Sequence, residues 1–301
     1  MMRALLHVWV TLSLALAANA APASRSFEAL LIRTDGSSEP AFLLTATKVS
    51  IRYRSTKEDT EIHDKKISEL AKINLTEPAE YRTALDLFQA RRYAEAKEIF
   101  AELKTRFEPV STLPGNPGTL SAFHELECFR KLGDLEGLSA ALQKFNKDPL
   151  VQENHQRQIE MYIFWDSVRT KNWSRLEALA KERQKQRLPG FQRAQVAYCH
   201  ALALEGLSRP HEALDAYDAA LTADIGASEE ICRKAALAIL RIHLGDPAVK
   251  EALKRPDALP DPKTEPVGAR IAEARAVARL FQVSLGSGEA LPPEYQILLK
   301  D

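Results

Sequence analysis

Cysteine is scarce: the chain holds only Cys128, Cys199 and Cys232, an odd number that excludes a disulfide framework and leaves at least one thiol free or paired with another chain. Glycine is also sparse, with 12 in 301 residues, and none falls into G-x-x-x-x-G-K or G-x-G-x-x-G. A glycine-rich cradle for a phosphate is therefore excluded, and G-x-S-x-G is missing too. Neither sign of charge is in excess: 41 Lys and Arg face 41 Asp and Glu. Nothing electrostatic favours nucleic acid or an anionic membrane as partner. The basic stretch Lys181 to Arg187 is interrupted by Glu182 and two glutamines and reads as a solvated helix face. Past residue 20 no apolar run is long enough to span a bilayer. No Asp or Glu stands in a recognisably apolar setting that would raise its pKa for acid catalysis. The expectation is a non-enzyme with no cofactor and no metal.

The first twenty residues carry the pattern of a secretory leader. Arg3 is the charged start, Ala4 to Ala17 is apolar, and Ala18-Asn19-Ala20 is a small-residue cleavage site, so the mature chain is expected to begin at Ala21. The run is short for a transmembrane anchor, and no cysteine stands at the cleavage point for a lipid. Export, with the bacterial periplasm as destination and no membrane span after cleavage, is the expectation. The 281 residues left are enough for two domains.

Residues 21–76 read as a small β domain. Glu28 to Ile32, Ala41 to Thr45, Lys48 to Arg54 and Thr60 to His63 are β-rich, and Thr34-Asp35-Gly36-Ser37 supplies turn chemistry. In the third run Val49, Ile51 and Tyr53 alternate with Lys48, Ser50, Arg52 and Arg54, the pattern of a half-buried antiparallel strand. Lys66 to Ile73 closes the segment as a short helical turn and a last strand. This meander resembles an SH3-like or Sm-like small barrel. Pro78 opens a different regime, so the boundary is placed at residues 76 and 77.

From residue 77 to 301 helical periods dominate. Tyr93, Leu135, Trp173, Pro210 and Pro247 mark turns separated by 42, 38, 37 and 37 residues, each between two apolar stretches of helical period. One such pair cannot bury its apolar face without a neighbour, so a stack of helical hairpins is implied. In the first, Ala84 and Ala96 sit where the helices approach closely, with Leu87, Phe100 and Leu103 between them. This hairpin resembles the tetratricopeptide repeat, whose small positions match Ala84 and Ala96 and whose aromatic position matches Phe100. The fourth resembles it through Ala201, Leu204, Ala213, Tyr217 and Ala220. The resemblance implies a mainly α protein, a right-handed α-solenoid preceded by the small antiparallel β-barrel-like domain. The second and third hairpins depart from the pattern, with Leu126, Phe164, Leu138 and Leu176 in place of small residues, which predicts wider helix spacing. The fifth runs into Pro256, Pro260, Pro262 and Pro266, so its second helix is expected to be short, with a closing helix over 268–285. Pro109 to Gly118 reads as a surface loop. Buried free cysteines are expected throughout, a Cys199–Cys232 bridge between neighbouring repeats being the alternative.

The chemistry-bearing clusters are few. His124 and Cys128 share a helix face at metal-ligand spacing, but a site needs a third ligand and none follows. His211-Glu212-x-x-Asp215 lacks the second His of a zinc-protease helix and begins just after a turn. Met161, Tyr162, Trp165 and Arg169 face away from Ile159, Ile163 and Phe164 by helical geometry. The resemblance places the first helices on a concave surface, where these residues would join Tyr81, Phe88, Phe123, Arg130 and Tyr198. Aromatic and Arg side chains favour a groove for a protein or peptide of the cell envelope. The alternative for the bulky residues is that an irregular hairpin uses them as core. The functional expectation is a non-catalytic scaffold binding through that concave face. Its rivals are a structural subunit of an envelope assembly using the β module, and a cell-wall glycan-binding module or enzyme. Oligomeric state is not legible.

Overall fold

The computed structural model describes residues 25–226, 228–286 and 289–300; the expected leader and cleavage site lie outside them. The chain divides after Thr76 into two compact units.

The first unit is a five-stranded antiparallel sheet of β1 (Phe27–Arg33), β2 (Ser38–Ala46), β3 (Ser50–Arg54), β4 (His63–Lys66) and β5 (Leu70–Leu75), in the order β4-β3-β2-β1-β5. Alternation builds one buried face: Phe27, Ala29 and Leu31 on β1, Ala41 and Leu43 on β2, Ile51 and Tyr53 on β3. The register fixes this face, with Leu31 opposite Glu39 on β2 and Ile73 on β5. Gly36 takes φ +85° in the first turn, and the Asp35 carboxylate accepts the Ser37 N–H at 2.8 Å. Val49 departs from the alternation. It precedes β3 and is 68% exposed, because Thr47 accepts the Val49 and Ser50 N–H groups in a local turn. A 3-10 turn at Ile67–Glu69 leads into β5. The sheet stays open where the sequence pattern points to a barrel: no described ladder joins β4 to β5. With four residues, His-Asp-Lys-Lys, β4 is too short and too charged to coil onto the far edge.

The second unit is mainly α. Its helices are α1 (Ala79–Gln89), α2 (Tyr93–Arg106), α3 (Pro117–Leu132), α4 (Leu135–Lys144), α5 (Glu153–Arg169), α6 (Trp173–Gln184), α7 (Gly190–Gly206), α8 (Pro210–Ala223), α9 (Glu229–Gly245), α10 (Pro247–Leu253) and α11 (Pro266–Leu280). Tyr93, Leu135, Trp173, Pro210 and Pro247 are each the first residue of the second helix of a hairpin. The recurrence has a local cause. Arg91, Gly133, Lys171 and Ser208, each two residues before that helix, take φ of +62°, +78°, +54° and +61°. The next N–H reaches back five residues in all four turns, Arg92 to Leu87, Asp134 to Phe129, Asn172 to Ser167 and Arg209 to Leu204. This left-handed closure satisfies the carbonyls at the first helix's end and reverses the chain in two residues. The fifth turn lacks it, and α10 is only seven residues long.

Small residues let the hairpins of the first and fourth pairs close, with Ala84, Ala96, Ala201, Ala213 and Ala220 all fully buried. Leu126, Leu138, Phe164 and Leu176 are buried at the crossings of the second and third. The segment Pro109 to Gly118 is not a surface loop. Val110, Leu113 and Asn116 are buried, and the Asn116 side chain donates to the Ser111 and Leu113 carbonyls while accepting the Thr119 N–H at 2.8 Å, capping α3. Gly118 is needed there, since a Cβ would lie 2.7 Å from that of Phe107. All three cysteines are free and buried. No described helix is long and apolar enough to cross a membrane.

Candidate inner-face site

The first helices of successive hairpins stand side by side, and their shared face carries a polar network inside an apolar wall. Glu127 on α3 is its hub. It accepts from Arg130 Nε and Nη2 at 3.0 and 2.9 Å, from the Tyr162 hydroxyl at 2.8 Å and from Gln158 Nε2 at 2.9 Å. Gln195 Nε2 on α7 donates to Gln158 Oε1 at 2.9 Å, and Trp165 Nε1 donates to Gln195 Oε1 at 2.9 Å. The Arg130 guanidinium lies over the Trp165 ring, 5.6 Å from its centroid.

The network then crosses to the fifth hairpin. Arg130 Nη1 and Lys131 Nζ donate to Glu230 at the start of α9, at 2.5 and 2.9 Å, and Arg91 pairs with the adjacent Glu229. Residues a hundred apart in the chain are thus tied across the inner face. Burial pushes the Glu230 carboxyl up, but the Arg130 and Lys131 charges outweigh it and bring it down to about 2. Glu127 is likewise raised by burial and lowered further by Arg130, for a net lowering. Arg130 is held well above its ordinary value: burial works against the charge, and the two glutamates overcome it. Burial, with Glu127 close by, raises the Tyr162 hydroxyl. Arg91, Arg130 and Lys131 face Glu127, Glu229 and Glu230, and Lys234 on α9 adds a further group beside Glu230, lowered mainly by burial.

Beside it opens a cavity of about 270 Å³ lined by Phe88, Phe123, His124, Lys131, His155 and Phe191 among others. The His124 ring stacks on Phe100 at 5.1 Å, and the His155 ring stacks on Phe123 at 4.2 Å. Both Nδ1 atoms are shielded from solvent and have no hydrogen-bond partner. Burial lowers His124 to about 4, with His155 adding to the effect, and burial lowers His155 as well, so both imidazoles are neutral at pH 7. Aromatic and imidazole faces form one part of the lining, and the paired charges Glu127, Arg130, Lys131 and Glu230 with the amides of Asn154, Gln158 and Gln195 form most of the rest. Among the described residues no group of three or more His, Cys, Asp or Glu is placed to hold a metal ion. Burial pushes the Cys128 and Cys199 thiols up to about 12 and Cys232 up to about 11, which removes them as nucleophiles.

The residues singled out from the sequence are only partly brought together. Arg130, Tyr162 and Trp165 belong to one network, and Tyr198 touches Trp165 with ring centroids 6.2 Å apart. Tyr81 is buried against Phe100 and His124. Met161 is fully buried core. Arg169 lies elsewhere, pairing with Asp166 and Glu136 near the surface. The faces of α5 are also the reverse of the helical-wheel expectation for Ile163, which is 41% exposed while Met161, Tyr162 and Trp165 are 4% exposed or less. Tyr162 and Trp165 point into the stack because their polar atoms find Glu127 and Gln195 there. These residues therefore build the wall and present little surface themselves.

Glu127 stands out in the sequence only as a neighbour of the His124 and Cys128 pair, and Gln158, Gln195, His155 and Glu230 do not stand out at all. One signal was available: Gln158 and Gln195 are 37 residues apart, the repeat spacing, each on the first helix of its hairpin. No protein-family profile, curated protein or solved structure matches the chain.

Proposed function

We propose that this chain is an exported, non-catalytic scaffold, a right-handed α-solenoid of tetratricopeptide-like hairpins that holds a segment of a cell-envelope protein on its inner face. The observation that carries the reading is the cavity beside the Glu127–Arg130 network, where the partly exposed Phe88 and Phe191 rings stand with Phe123 and the neutral His124 and His155 rings. A peptide inserting an apolar or aromatic side chain would cover these rings. Glu127, Arg130, Lys131 and Glu230 are engaged with one another, which favours recognition over proton transfer.

Since Tyr162 and Trp165 are core, the test falls on the partly exposed Phe88 and Phe191. Capture from envelope extract by wild type, by Phe88→Asn with Phe191→Asn, and by an Arg187→Ala control is compared by mass spectrometry. One protein kept by wild type and control and lost by the double variant is the expected result. The same set on all three removes the inner face from the function.

A second reading makes the β module the contact, because β4 and β5 each pair on one side only among the described strands, and an open edge accepts an added strand. Removal of residues 21–76 separates the two: inner-face capture survives it, and assembly through the sheet does not.

A further inference from the structure

The charges of the inner face do not cancel. Arg91 pairs with Glu229, Arg130 with Glu127 and Glu230, and Lys131 with Glu230. Those pairs consume every cation and carboxylate of the network but one. Lys234, a helical turn beyond Glu230 on α9, is half-buried and makes no hydrogen bond or ion pair among the described residues. The flanking pairs have no carboxylate to lend it: Arg233 holds Glu289, and Arg241 Nη2 donates to both Glu205 oxygens at 2.7 Å. Folding has therefore stripped one ammonium of much of its water and given it no counter-ion, which costs free energy until an anion arrives.

Helix register places Tyr198 beside it. α7 and α9 are the first helices of consecutive hairpins and pack side by side. The Arg241–Glu205 contact fixes their register, and seven residues, or two turns, back along each helix stand Lys234 and Tyr198. The Lys234 charge acts on the Cys199 thiol, next to Tyr198 in the chain, in agreement with that placement. The Tyr198 ring lies against Trp165 and Tyr217, with centroids 6.2 and 5.7 Å apart, and its hydroxyl is unpartnered. Ammonium and hydroxyl can each donate a hydrogen bond, and the described residues give neither an acceptor. Burial lowers the Lys234 pKa, Glu230 works against burial, and the Arg130, Arg233 and Lys131 charges add to the lowering.

We propose that Lys234 and the Tyr198 hydroxyl receive one singly charged carboxylate from the segment held on the inner face. Its valence follows from the charge count: a monoanion balances the face, whereas a phosphate dianion would leave it with a negative charge in partly desolvated surroundings. Only the protein origin of that carboxylate rests on the inner-face reading. A small carboxylate tests Lys234 directly, and its failure to bind leaves capture through Phe88 and Phe191 untouched.

Four ligands are titrated into the full chain at low salt and followed by amide NMR. N-acetylglutamate α-amide carries its carboxylate on a side chain, and its isomer N-acetylglutamine carries it at a chain end; neutral N-acetylglutamine amide and N-acetylphosphoserine amide complete the set. The two monoanions are expected to give saturable shifts confined to residues 195–202 and 230–238, with affinity on the order of 1 mM, the tighter one naming the source of the carboxylate. The neutral amide is expected to bind at least about tenfold more weakly, and the phosphate no more tightly than the monoanions. Lys234→Met keeps the aliphatic stem. It is expected to abolish the carboxylate shifts and to raise the melting temperature by about 2–4 °C, because it removes an unpaired, partly buried charge. A lysine with a purely structural role would lower that temperature on replacement. Tyr198→Phe is expected to weaken the monoanions about threefold with unchanged circular dichroism. Equal binding of acid and amide, full affinity in either variant, a phosphate bound about tenfold more tightly, or a lowered melting temperature in Lys234→Met overturns the proposal.

Discussion

Replacing Glu230 with alanine removes the carboxylate that joins the second hairpin to the fifth. In the native chain Glu230 accepts from Arg130 at 2.5 Å and Lys131 at 2.9 Å with its side chain 10% exposed. Its carboxyl falls from an ordinary 4.5 to about 2. That lowering corresponds to roughly 3 kcal/mol of stability at pH 7. A broken buried pair costs about 3–5 kcal/mol when the remaining charge has no other partner. Arg130 keeps Glu127, so the loss belongs at about 3 kcal/mol, the lower end of that range. For a helical unit of this size it lowers the melting temperature by about 6–12 °C. The sign with pH is fixed by the direction of the shift. A lowered folded pKa gives stability present in full above 4.5 and lost as pH falls through about 2. Wild type and Glu230→Ala should therefore differ at pH 7 and converge in strong acid. Urea unfolding followed by tryptophan emission suits the measurement, because Trp165 lies against Arg130. A difference below about 1 kcal/mol at pH 7, or an equal difference at pH 7 and pH 2, would refute the assignment of the closure to this carboxylate.

Three further outcomes are expected. Asp218 on α8 is raised to about 6 by burial and by Glu273 and Asp215 beside it, so its contribution is most favourable below 3.8 and is lost as pH rises through about 6. Asp218→Asn should then be more stable than wild type at pH 8 by roughly 1–2 kcal/mol, with the advantage vanishing near pH 4 in urea titrations. Lys171 holds φ +54° at a turn where Gly133 serves the second hairpin. Lys171→Gly should stabilise by about 0.5–1 kcal/mol in chemical denaturation, and destabilisation would show that the lysine side chain has a role at the turn. Since Cys128, Cys199 and Cys232 are buried with raised pKa values, a thiol reagent at pH 8 should modify none of them in the time it modifies all three in denaturant. Fast native labelling of any one would place it at a surface.

The hairpin period was legible because its cause is local. A left-handed residue followed by a helix start recurs at Arg91, Gly133, Lys171 and Ser208, and apolar stretches flank it at helical spacing. The sheet was legible at Ile51 and Tyr53, where alternation reports one buried face, and misread at Val49, where the alternation outlasts the strand. The proline-rich stretch 109–118 carried the composition of a surface loop, yet Asn116 supplies internal hydrogen bonds that let it be buried. On α5 the run Met161 to Trp165 is apolar all round, so no helical wheel selects its inner face. That choice is made by Glu127 and Gln195, which lie on other helices and give Tyr162 and Trp165 their hydrogen bonds.

Sequence alone determined the change from strand to helix after residue 76, the five turns, the buried alanines at the tight crossings and the shortness of the last hairpin's second helix. These follow from backbone geometry and side-chain size within a few residues. Tertiary structure decided which side of the third hairpin faces inward, that the sheet stays open, and that Glu230 meets Arg130 a hundred residues away. Each depends on where a buried charge or an apolar stripe finds its partner, and that partner's distance in space has no counterpart in its distance along the chain.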